Sequence, residues 1–149
     1  MTPVVVLLVN AAATWFLTGL IWVVQVVHYP LFSYADGSTF PAFAAAHGRL
    51  ITPVVGPAML VELVSTGLLL AHPPGALPAP WAWIGAGLVG VIWLSTALFQ
   101  VPIHAQLAAG FDARAHGWLV TSNWIRTVAW TIRSLLLFVA LTRALQSAK

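Results

Sequence analysis

Cysteine is absent from this sequence, so neither a disulfide framework nor a thiolate metal site can form. Charge is scarce as well. Six basic and three acidic side chains make up 6% of the 149 residues. A soluble domain carries roughly a quarter charged residues to keep its surface wetted, so this surface faces something other than water. The small basic excess is scattered, with no patch or stripe, which excludes nucleic acid as a partner. The apolar runs do not alternate and are too few to close a β-barrel. Met1-Thr2-Pro3 lacks the basic region of a signal peptide, and the apolar run after it is too long for a signal core, so a retained first helix is expected.

What the chain has is apolar length. Hydrophobic residues make up 60% of it, and the mean hydropathy is +0.94. A bilayer core takes about 20 apolar residues as helix. Four stretches qualify, at residues 4–27, 50–71, 81–101 and 118–141, and predict an all-α polytopic membrane protein: one transmembrane domain, a four-helix bundle in the lipid bilayer. Pro73-Pro74-Gly75 makes a tight turn between the second and third helices, while Tyr34-Ala35-Asp36-Gly37 and Gly110-Phe111-Asp112 mark longer loops on the other side. Trp81, Trp83 and Trp118 fall where an aromatic belt belongs, or fill space in the bundle. Arg143 and Lys149, with Arg133 snorkelling toward them, outnumber Arg49 and Arg114 by one. This margin places both termini in the cytoplasm of, as expected here, a bacterial inner membrane.

The two halves resemble each other. Gly19-Leu20-Ile21-Trp22 is echoed by Gly90-Val91-Ile92-Trp93, Tyr29-Pro30 by Val101-Pro102, and His47-Gly48-Arg49-Leu50-Ile51-Thr52 by His116-Gly117-Trp118-Leu119-Val120-Thr121. Polar residues recur in register, so the bundle reads as two repeated helical hairpins pointing the same way. Pro30 and Pro102 are expected to end or kink their helices at matching depths.

Four of the five histidines fall on the side opposite the termini. His28 is expected to end the first helix, His47 to precede the second, His104 to follow the third and His116 to precede the fourth. Four imidazoles at one end of a bundle could hold copper, iron or zinc, or ligate a haem. Gln25 and Gln100, each about one turn before a histidine, could orient them. Deeper down, Glu62 is expected to pair with Arg126 or Arg133 inside the bundle, because a charge facing lipid is costly. Asn123, Arg126, Thr127, Trp130, Arg133 and Ser134 recur at spacings that share one helical face. These polar residues outline a pocket that opens on the histidine side and ends at Glu62. Gln25, Gln100, Glu62 and Arg133 are taken as ligand- or cofactor-binding, and a flat apolar molecule with one or two oxygens would suit the walls.

Phe99-Gln100-Val101-Pro102-Ile103-His104-Ala105-Gln106-Leu107, followed by Asn123-Trp124-Ile125-Arg126-Thr127, resembles the anthrone oxygenase-like family of small four-helix membrane proteins, most of them of unknown function. In that family a Val-Pro-Leu-Asn segment ends the third helix and an Asn-x-x-Arg-Thr segment opens the fourth. Asn123, Arg126 and Thr127 match the second segment. His104 stands where the family usually has Asn, and Trp124 where it often has His. The resemblance covers about half the chain and implies the four-helix architecture and oxidation of a phenolic polycycle to a quinone.

Three functions compete. In an oxygenase-like oxidoreductase acting on a lipophilic aromatic or quinone-type small molecule, His28 or His104 is the base, and Arg126 and Asn123 stabilise an enolate oxygen. In an electron-transfer protein the histidines carry haem or copper. In a non-catalytic membrane subunit or small transporter, within a homo-oligomer or a larger complex, the polar residues serve packing.

Overall fold

The structure, a computed structural model, describes residues 2–35 and 37–147. Met1, Asp36 and Lys149, used above, lie outside the described residues. Four long helices carry the fold: α1 (Pro3–Tyr34), α2 (Phe40–Ala71), α3 (Ala79–Ala109) and α4 (Ala113–Ser147). All four are long and apolar enough to cross a membrane, and they form an all-α bundle integral to one. Each runs past the stretch that hydropathy marks. Hydropathy detects only the part that sits in hydrocarbon, but a backbone leaving the bilayer gains nothing by breaking its own hydrogen bonds.

His28, His47, His104 and His116 are therefore inside helices, not in the flanking segments expected from sequence. Pro30 and Pro102 end neither helix. In α1 a wide π-helical turn at Val24–His28 precedes Pro30, and in α3 the equivalent turn at Thr96–Gln100 precedes Pro102. Proline lacks an N–H and crowds the carbonyl four residues back, and the wider turn relieves both conflicts without breaking the helix. The Tyr29 N–H reaches the Val24 carbonyl, and the Val101 N–H reaches that of Thr96. The two π-turns fall at matching places in the two hairpins. Pro53 and Pro57 lie within α2 and face outward.

Helices in lipid gain little from apolar burial, so close packing and interhelical hydrogen bonds hold them together. Ala11, Ala82, Ala115, Ala129 and Ala140 are buried between helices and let the backbones approach. Asp112 caps α4, its Oδ1 accepting from the N–H groups of Arg114 at 2.8 Å and Ala115 at 2.9 Å. Trp83 and Trp118 are exposed near helix ends, as a belt requires, whereas Trp81 lies under the Arg143 guanidinium at 4.5 Å. Trp15 and Trp22 lie along α4, donating to the Ser134 carbonyl at 3.3 Å and to Thr131 Oγ1 at 3.0 Å.

Among the described residues one buried ion pair joins the bundle. Arg133 Nε donates to Glu62 Oε1 at 2.9 Å, with both side chains almost fully buried. The same carboxylate accepts from Thr14 Oγ1 at 2.6 Å and from Trp130 Nε1 at 3.0 Å. Arg133 also donates to the Gly85 carbonyl at 2.7 Å, and to Asn10 Oδ1 and Thr66 Oγ1 at 2.8 Å each. All four helices meet in this layer, and both ions have several partners. Arg133 thus turns inward and does not snorkel toward the chain ends.

Candidate functional site

Above the ion-pair layer lies a cavity of about 280 Å³. Its walls are mostly apolar, with Leu17, Ile21, Met59 and Trp130 among them, and its polar wall atoms come from Tyr29, His47, Thr52, Thr96, Gln100, His104 and Arg126. Trp130 forms part of the floor and ties it to Glu62 below. Thr52 and Val101 line the cavity and are also exposed on the outer surface. Helices α2 and α3 pack together on either side of the π-turn of α3 but hardly at it. The cavity consequently has its opening on the side of the bundle, between α2 and α3. The sequence pointed instead to an opening at the histidine end. That end is closed by aromatic rings, which no polarity pattern marks as a plug.

Arg126 is the polar centre of the cavity. It is 6% exposed and has no carboxylate partner among the described residues. Its guanidinium is held by Asn123 Oδ1, with Nε at 3.0 Å and Nη2 closer still, and reaches Thr96 Oγ1 and the Tyr29 hydroxyl at 3.4 Å each. Asn123 is fixed in turn by donating to Gln25 Oε1 at 2.8 Å, which also accepts from Thr127 at 3.3 Å. Gln25 donates to the Val120 carbonyl at 3.1 Å. Gln25 and Asn123 stand behind Arg126 and set its direction; neither lines the cavity.

Gln100 does line it. Its Nε2 donates to Ser122 Oγ at 3.0 Å, and since the Ser122 hydroxyl donates to the Trp118 carbonyl at 2.6 Å, the amide orientation is fixed. Gln100 Oε1 and the indole N–H of Trp93, another wall residue, are buried without a hydrogen-bond partner. An unpaired buried donor and acceptor are uncommon in a folded protein and call for an explanation.

The histidines sit around Phe32, which is fully buried. Its ring centre lies 5.3 Å from that of His28, 5.1 Å from His47, 6.3 Å from His104 and 6.5 Å from His116. Phe32 thus packs against all four imidazoles, while His28, His47 and His104 also stand in a row, with ring centres 4.7 Å and 5.2 Å apart. One nitrogen of each ring is taken up elsewhere. His28 Nε2 and His47 Nδ1 share a hydrogen bond of 2.8 Å, His104 Nε2 meets the Tyr29 hydroxyl at 2.9 Å, and His116 Nε2 donates to the Tyr29 carbonyl at 2.8 Å. Among the described residues no three His, Asp or Glu side chains come together to hold a metal ion. The proposed ligand set of His28, His47, His104 and His116 does not fit copper, iron or zinc as arranged.

Of the candidates named from sequence, His47, His104, Gln100 and Arg126 face the cavity. His28 and His116 stand beside Phe32, and Glu62 and Arg133 lie beneath the floor. Gln25 and Gln100 turn to α4 and not to the histidines. Tyr29, Thr96, Trp93 and Phe32 were missed. Tyr29 was legible as the polar end of a repeated x-Pro pair; Phe32 carried no signal that separates a hub from any other apolar residue. Compared with known protein families, with curated proteins and with solved structures, the chain matches none.

Proposed function

We propose that the protein is an oxygenase-like membrane oxidoreductase acting on a lipophilic aromatic ketone, phenol or quinone-type small molecule in this cavity. The observation that carries the reading is Arg126, a buried guanidinium on a mostly apolar wall with no anion beside it among the described residues. A cation held in hydrocarbon without an anion is costly, and an enolate or phenolate oxygen supplies that anion as it forms. Because Arg126 donates to the Tyr29 oxygen, the Tyr29 hydroxyl proton points to His104 Nε2. His104 is then the base, reached through Tyr29. A CH2 group beside the ligand carbonyl loses a proton to this pair, and the carbanion is held as an enolate by Arg126. Dioxygen adds to the carbon, the O–O bond breaks, and one water leaves, so that CH2 and O2 become C=O and H2O.

The unpaired Gln100 Oε1 and Trp93 N–H support a ligand that brings a donor and an acceptor of its own. The sideways opening supports one that arrives from the bilayer. The resemblance to the anthrone oxygenase-like family agrees with this chemistry at Arg126, Asn123 and Thr127. We place the protein in a bacterial inner membrane with the start of α1 and the end of α4 in the cytoplasm, the side on which Arg143 lies.

The test is oxygen uptake and quinone absorbance by the protein in nanodiscs given anthrone under air. Turnover that is lost in Arg126→Met supports the proposal. Binding of anthrone, read by quenching of tryptophan fluorescence, without oxygen uptake would favour a carrier or non-catalytic subunit. Absence of binding sinks the reading.

A further inference from the structure

Trp93, Thr96 and Gln100 follow one another on α3 at spacings of three and four, which put side chains on one face of a helix. All three line the cavity. We infer that Gln100 selects the ligand: the cavity prefers a ring system with a free hydroxyl on an outer ring, away from the carbonyl that meets Arg126. The inference rests on the proposed reading of the cavity as the site of an aromatic ketone or quinone, and it names one feature of that molecule.

Among the described residues, the buried side-chain atoms left without a hydrogen-bond partner are Trp93 Nε1, Ser95 Oγ and Gln100 Oε1. All belong to one short stretch of α3. Ser95 does not line the cavity, and a serine can turn its hydroxyl onto the carbonyl four residues back in its own helix. The Trp93 indole and the Gln100 amide lack that recourse. Gln100 is 2% exposed, and its Nε2 is held on Ser122 Oγ at 3.0 Å. The Ser122 hydroxyl is spent on the Trp118 carbonyl, so Ser122 can only accept from Gln100, and the amide oxygen is the end left over. A buried acceptor without a partner is costly, and here it belongs to a side chain on the cavity wall.

Thr96 marks the level of the ligand carbonyl. Its hydroxyl donates to the Ile92 carbonyl at 2.8 Å and its oxygen accepts from Arg126 Nη1 at 3.4 Å. Arg126 makes two hydrogen bonds to Asn123 and one each to Thr96 and Tyr29. A guanidinium has five N–H groups, so one, on Nη1, is left for a ligand oxygen at this level. Gln100 lies one turn along α3 from Thr96, about 5 Å, and Trp93 about as far the other way. The ligand oxygen on Arg126 is thus flanked by an acceptor, Gln100 Oε1, and a donor, the Trp93 N–H. The second oxygen of a quinone serves Trp93.

Gln100 Oε1 only accepts, so its partner is a ligand O–H or N–H. A molecule that is otherwise apolar brings this as a phenolic hydroxyl. A hydroxyl directly beside the ligand carbonyl closes an internal hydrogen bond and has no proton to give. The hydroxyl that Gln100 recognises therefore sits on an outer ring, away from the carbonyl. A bare ring leaves Gln100 unpaired, and a methyl ether also sets a methyl group against its oxygen. A site built to pair a substrate hydroxyl discriminates strongly against analogues that lack it.

The probes are 2-hydroxyanthraquinone and 2-methoxyanthraquinone, which cannot be oxidised at a CH2 group, so binding is read apart from turnover. Each is titrated into protein in nanodiscs of one lipid composition, and the saturable part of the tryptophan quenching gives its Kd. The two partition into lipid differently, but equally for every variant, so the ratio of their Kd values is compared between proteins. The native chain should favour the hydroxyl at least tenfold more than Gln100→Leu does. Gln100→Met, which fills the same length, should match Gln100→Leu and covers the case in which leucine disturbs packing; circular dichroism reports the fold of both. Trp93→Phe should weaken both probes and leave their ratio as in the native chain. The same ratio in the native chain and in the folded Gln100 variants overturns the inference, as it would if a water sat on Gln100, and so does saturable binding of neither probe. Oxygen uptake with anthrone, which carries no hydroxyl, depends on neither probe, so the proposed function can stand where this inference falls.

Discussion

Replacing Glu62 by Gln keeps the shape of the side chain and removes its charge. Arg133, 2% exposed, then stands as an uncompensated cation among Asn10, Thr66 and the Gly85 carbonyl. The new amide has one oxygen where two had accepted from Thr14, Arg133 and Trp130. Breaking a buried pair on one side costs about 3–5 kcal/mol. At about 3 °C per kcal/mol for a chain of this length, the midpoint of thermal unfolding in detergent should fall by roughly 10 °C. Glu62→Gln combined with Arg133→Met should recover part of that loss, because no ion is then left unpaired. Arg126→Met is the counterpart. Among the described residues Arg126 has no carboxylate to orphan, and the three neutral groups around it return little of the cost of burying a guanidinium, about 2.5–3.5 kcal/mol at a helix centre. Its midpoint should therefore stay within about 3 °C of the native chain. Circular dichroism across a temperature ramp checks all four proteins. A fall in Arg126→Met as large as that in Glu62→Gln would refute the division into one arginine that holds the bundle and one that waits for an anion.

Gly85→Ala places a Cβ 3.0 Å from Arg133 Nη1, on a guanidinium already fixed by four partners, so the same ramp should show a loss of about 1–3 kcal/mol. Phe32→Ala empties the space against which the four histidines pack and should cost about 3–5 kcal/mol; metal analysis should find more bound zinc or copper in this variant than in the native chain, and an equal amount would show that the phenyl ring excludes nothing. Single cysteines at Tyr34 and Leu145, both well exposed, should be labelled by an impermeant reagent from opposite sides of the membrane, and labelling from one side would rule out four spans.

The sequence by itself determined the class, the four spans and the inward-facing stripe of α4, since an apolar run with few charges has one solution in lipid and a polar residue within it must turn inward. It also limited Glu62 to two arginines. Only the tertiary structure chose Arg133, because the choice depends on how α2 and α4 are rotated and on Thr14, Trp130 and Asn10 reaching the same layer from other positions. It also showed that the prolines widen a turn without ending a helix. The histidines illustrate the boundary best. Their shared end of the bundle could be read from spacing, but what packs against them could not. That was decided by Phe32, a residue whose type says only that it is apolar, and whose place depends on how four helices meet at their ends.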